Sequence, residues 1–89
     1  MVTVERVQSG VRMERRLLKV LKGLAEFLDV SLGDLLEGIV LHAFEQKLAF
    51  DDATVAVIER LEDVYGFDLR ASDSHQLHEA GDDRGSPSR

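Results

Sequence analysis

The chain first alternates and then repeats. In VQSGVRM, Val7, Val11 and Met13 fall on one parity and Gln8, Gly10 and Arg12 on the other, which is the two-residue period of a half-buried strand. Ser9 interrupts the apolar row. Arg6 continues the polar parity, so residues 1–6 either extend the strand or form a mobile arm. Every later apolar segment repeats at three and four residues instead, and the pattern as a whole predicts a mainly α protein with one short N-terminal strand. A lone strand leaves its backbone donors and acceptors unpaired. The partner expected for it is the same stretch of a second copy, antiparallel across a two-fold axis.

Glu14 opens a predicted helix running to about Leu28, with Leu17, Leu18, Leu21, Leu24, Ala25 and Leu28 on one stripe and Val20 and Phe27 widening it. Arg15, Lys19 and Lys22 share the opposite face, read as solvated, with Glu26 in pairing reach. Gly23 is a flaw costing up to about 1 kcal/mol against alanine, explained if another helix approaches closely there. Asp29 and Val30 make a short turn. Ser31 then caps a second helix from Leu32 to about Leu48, Asp34 faces its positive end, and Val30 is placed to staple onto Leu35. Its apolar positions, Leu32, Leu35, Leu36, Ile39, Val40, Ala43 and Phe44, are too wide a face for one short helix to cover. Contact with both the first helix and a partner chain is expected.

Asp51 or Asp52 caps a third helix, with Phe50 placed to staple onto Val55 and Gly66 as its stop. Val55, Ile58, Leu61 and Tyr65 form its stripe, flanked by Val57 and Val64. The organisation predicted is a first unit over residues 1–49, a C-terminal helix and appendage over 50–80, and a polar tail over 81–89 expected to be disordered.

Length and charge sharpen this picture. A core drawn from about 45 to 65 residues is marginal in a monomer. No cysteine is present to add a disulfide. No apolar run approaches the roughly 20 residues of a membrane span and there is no signal-like N-terminus, so a soluble cytoplasmic protein is expected. The net charge of -6 is unevenly placed. Residues 1–50 carry seven basic and seven acidic side chains, whereas residues 51–89 carry four and ten. Within residues 1–22 the balance is +4, a basic patch that a dimer doubles.

A polar strand, a helix, a two-residue turn opened by a serine cap and a second helix follow one another in VQSGVRM, LLKVLKGLAEFLDVS and LGDLLEGIVLHAF. This order resembles the ribbon-helix-helix family of Arc, MetJ and CopG-like bacterial repressors, over Arg6 to Lys47. The resemblance implies an intertwined homodimer in which two strands form an antiparallel ribbon that enters the DNA major groove, about 12 Å wide. Its dimer core would draw on Val7, Val11, Met13, Leu17, Leu21, Leu24, Leu32, Leu36, Ile39, Val40 and Ala43. Gln8, Gly10 and Arg12, with Arg6 at the edge, would face the bases. Gln pairs with adenine and Arg with guanine, each worth about 1 to 3 kcal/mol of discrimination. Gly10 departs from the family's usual polar residue and supplies no side-chain readout. Phosphate contacts would come from Ser31, from the amides of Leu32 and Gly33 at a helix N-terminus, and from Arg15 and Arg16. The two arginines oppose their own helix dipole at about 0.3 to 1 kcal/mol each unless Glu14 or a phosphate compensates them.

Plainer readings stand beside these. Gln8 and Arg12 can be the solvated face of a ribbon, Ser31 an ordinary cap, and His42 a hydrogen-bonded histidine on the core border. Asp73, His75, His78 and Glu79 would approach one another only in a helical segment, and no metal site is assigned. No nucleophile and base stand in a catalytic arrangement, so the chain is read as a non-enzyme without a cofactor. The third helix and its acidic extension are either a packed appendage or a segment that binds a second protein through residues 51–80. The latter is the antitoxin-like alternative to DNA binding.

Overall fold

The computed structural model describes residues 1–78, in which three α-helices and one short 3-10 turn are the regular elements: α1 (Arg15–Leu28), α2 (Leu32–Phe44), α3 (Asp52–Tyr65) and the turn Ala71–Asp73. The predicted tail over 81–89, with Glu79 and Ala80, lies outside the described residues. The protein is mainly helical as its periodicity predicts. The strand predicted at Val7–Met13 is not formed in the single chain, and no strand occurs among the described residues. The reason is the one its isolation suggests: no other described segment of the chain offers a ladder to it.

Each helix starts on a side-chain cap. The Glu14 carboxylate accepts from the Leu17 amide at 2.8 Å, Ser31 Oγ from the Asp34 amide at 3.0 Å, and Asp51 Oδ1 from the Thr54 amide at 2.8 Å. Glu14 is therefore the cap of α1 rather than its first residue. Each helix also ends in the same way, with one residue in the left-handed region and a 6→1 bond beyond it. Asp29 (φ 60°), Gln46 (φ 58°) and Gly66 (φ 62°) are those residues, and the amides of Val30, Lys47 and Phe67 return to the carbonyls of Ala25, His42 and Glu62. Only Gly66 takes that conformation without a Cβ penalty. The closure at Gln46 stops α2 at Phe44, four residues short of the predicted Leu48.

α1 is central, and both other helices pack on it. Arg16 meets Gly66, Lys19 meets Tyr65 and Gly23 meets Leu61, so α3 runs antiparallel along α1. A Cβ on Gly23 would lie 2.9 Å from Leu61 Cδ2. The missing side chain is what admits α3, the close approach that the glycine predicts. Val20, Leu24, Ala25 and Leu35 are buried, with Leu21, Leu28, Ile39, Phe50, Val57, Ile58 and Leu61 packed around the cluster of Leu24, Ala25 and Leu35. Phe50 thus turns into the core, whereas Val55, its predicted staple partner, is exposed. No helix among the described residues is long and apolar enough to cross a membrane.

Candidate nucleic-acid interface

Residues 1–14 precede α1 without regular structure, and the backbone hydrogen bonds among the described residues begin at Glu14. Val7 is 79% and Val11 73% exposed, so these two valines of the arm's apolar parity meet no core within one chain, whereas Met13 next to α1 is half-buried. Gln8, Gly10 and Arg12 are exposed with it. Nothing stands within 4 Å of a Cβ built on Gly10, so this position is open to whatever approaches the arm.

Arg6 ties the arm back to the helices. Arg6 donates from Nε to Glu37 Oε2 at 3.0 Å and from Nη2 to Glu37 Oε1 at 2.8 Å, a two-toothed pair across 31 positions of sequence. The Arg6 hydrogen bond holds the Glu37 carboxyl below its ordinary range, and Glu37 raises Arg6 in return. A cleft of about 720 Å³ opens between arm and helix, lined by Glu5, Arg6, Val7, Ser31, Gly33, Asp34 and Glu37. The structure therefore gathers Arg6, Ser31 and Gly33 around one space at the N-terminus of α2, where unpaired amides and the helix dipole favour an anion. Leu32 is half-buried beside them. Ser31 Oγ already serves the Asp34 amide, so the cap and the candidate phosphate contact are one group.

The two arginines of α1 part company. Arg15 is exposed. Arg16 is half-buried, with Nε 3.1 Å from Glu14 Oε2 and Nη1 bonded to the Gly66 carbonyl at 2.8 Å and to Asp68 Oδ1 at 3.1 Å, its guanidinium 5.9 Å from the Phe67 ring centroid. It compensates the unpaired carbonyl end of α3, which accounts for a basic residue at the wrong end of α1 without any phosphate. Burial acts to raise the Glu14 pKa, but the Leu17 amide and Arg16 outweigh it and leave the carboxyl below its usual range. Lys19, predicted on a solvated face, instead sits with its ammonium 5.7 Å from the Tyr65 ring centroid.

Of the predicted dimer-core positions, Leu24 is already buried inside one chain at 2% exposure. Met13, Leu17, Leu21, Leu32, Leu36 and Ile39 are half-buried, while Val7, Val11, Val40 and Ala43 are exposed. Beside them Leu41, Phe44 and Leu48 are exposed too, Phe44 at 78%. His42 is exposed rather than on the core border, with Nδ1 2.7 Å from the Gly38 carbonyl oxygen. His75 and His78 follow the 3-10 turn outside any helix, and no group of three or more metal-ligating side chains is placed together among the described residues.

Sequence reasoning passed over Glu37 and Glu5. The signal available was spacing: Ser31, Asp34 and Glu37 recur every three residues, which puts both carboxylates on the face of the cap. Compared with protein-family models, curated proteins and solved structures, the chain finds no match.

Proposed function

We propose that this protein is a homodimeric DNA-binding regulator of the ribbon-helix-helix kind, whose paired arms form a two-stranded ribbon that enters the major groove. One observation carries the reading: a seven-residue alternating segment has no strand to pair with among the described residues, and its apolar side chains Val7 and Val11 stand in solvent. A second copy supplies both a backbone ladder and a cover for those valines. The uncovered face of α2, with Val40 and Phe44, lies on the helix that would meet the same partner. The buried core of one chain is small, and a domain of this size is marginal alone.

In the paired state Gln8 and Arg12 would read bases, while Arg6, expected to face bases from the ribbon's edge, would instead meet phosphates with the cap of α2, beside which Glu37 holds it. Titrating the full chain against mixed duplex DNA at two salt concentrations tests this. Binding that weakens with salt by about 0.9 log units per log unit for each phosphate contact, and that loses its sequence preference in Arg12→Ala, is the expected result. No binding at low salt, or a monomer by light scattering at micromolar concentration, overturns it.

The alternative, a module that binds a second protein through its acidic C-terminal part, draws on the exposed Val55 and Val64 of α3. The docking of Leu61 on Gly23 and of Arg16 on the end of α3 weighs against it, because both commit α3 to its own chain.

A further inference from the structure

The arm bears on α2 through Arg6 and Glu37, and the chemistry of that pair has a direction. The fork of Arg6 is filled by both oxygens of one carboxylate. That is the arrangement in which guanidinium also grips a phosphate, so a nucleic acid reaching Arg6 has to displace Glu37. Both side chains remain in water, at 65% and 47% exposure, which keeps the pair exchangeable. Among the described residues lining the cleft, Arg6 is the one cation, beside Glu5, Asp34 and Glu37. With Arg6 neutralised by Glu37, the approach to the α2 N-terminus is acidic, and a phosphate there is repelled rather than drawn in.

We infer that Glu37 is a built-in brake on DNA binding: it holds the arm to α2 through Arg6 in the free protein and competes with phosphate for that guanidinium. The inference rests on the DNA-binding reading and adds to it a residue that touches no base. Glu37 sets affinity without changing which sequence is preferred. Arg6 stands one residue before Val7, so its release also frees the first residue of the ribbon.

The test is a double-mutant cycle on the full chain, with Glu37→Gln, Arg6→Gln and the pair together, read by fluorescence anisotropy of a labelled mixed-sequence duplex. Glu37→Gln is expected to bind about two- to fivefold tighter than the parent, the range for an exposed ion pair. In the Arg6→Gln background the same substitution should gain nothing. Unchanged or weaker binding by Glu37→Gln overturns the brake and makes the pair a support instead. An equal gain in both backgrounds overturns it as well, because the effect is then general charge removal. Absence of binding by all four proteins overturns the DNA-binding reading, and the brake with it. The tie of the arm is then judged apart, by backbone ¹⁵N relaxation of residues 2–9: lower order in both single variants supports it, and unchanged order refutes it.

Discussion

Gly23 gives the sharpest handle on the tertiary arrangement. In mid-helix a glycine is about 1 kcal/mol less favourable than alanine, so on α1 alone Gly23→Ala is stabilising. A Cβ there would stand 2.9 Å from Leu61 Cδ2, 3.4 Å from Cδ1 and 3.7 Å from Cγ. The first separation is well inside the about 3.5 to 4.0 Å optimum for carbon, so Leu61 has to turn or α3 has to move. Leu61 is half-buried against α1. An imposed rotamer costs about 0.5 to 1.5 kcal/mol, and overpacking about 1 to 3 kcal/mol. Setting the propensity gain against this, Gly23→Ala should destabilise the protein by about 0 to 2 kcal/mol. Removing the obstruction reverses the sign: in a Leu61→Ala background the same change should stabilise by up to about 1 kcal/mol. The coupling, about 1 to 3 kcal/mol, is read from urea unfolding of the four proteins followed by circular dichroism. Equal stabilisation in both backgrounds would show that Leu61 does not sit over Gly23 in solution, and the antiparallel docking of α3 would fall with it.

Ser31→Ala removes the cap of α2 and should lower stability by about 1 kcal/mol in the same assay, with Ser31→Asn restoring most of it; a loss that Asn does not restore would refute a capping role. Phe44→Ser touches little in one chain, so its helical signal should survive while light scattering reports a shift from dimer to monomer; an unchanged mass would remove the α2 face from the dimer contact. Glu14, Glu37 and Asp51 each have a pKa lowered in the folded protein. Their stabilisation is therefore complete above the unfolded-state values near about 4 and is lost as pH falls through the lower folded ones. The urea midpoint should drop below about pH 4, and less steeply in a Glu14→Gln, Glu37→Gln, Asp51→Asn variant; an identical acid slope would sink the assignment.

Helix ends were the most legible part of the fold, because a cap needs only residues three apart. The cap at Ser31 and the stop at Gly66 follow from local spacing, which also narrows the cap of α3 to Asp51 or Asp52; the bond to Thr54 decides for Asp51. The end of α2 was not legible: its apolar pattern runs on to Leu48, and a glutamine in the left-handed region at position 46 carries no sequence mark. The candidate site was legible as a set of residue types and not as a set of pairings. Arg16 reads as a cation in search of a phosphate until the carbonyl end of α3 is seen beside it, 50 positions later in the chain.

Periodicity and caps alone determined that there are three helices, where each begins to within about a residue, and that the residues before them match no helix. These depend on interactions within one turn, which the order of residues states directly. Only the tertiary structure decided that α3 lies antiparallel on α1, that Arg16 and Lys19 serve that contact, and that Arg6 is held by Glu37. Those pairings join positions 31 to 50 residues apart, and a side chain's distant neighbour is set by how whole helices pack, not by the residues beside it in sequence.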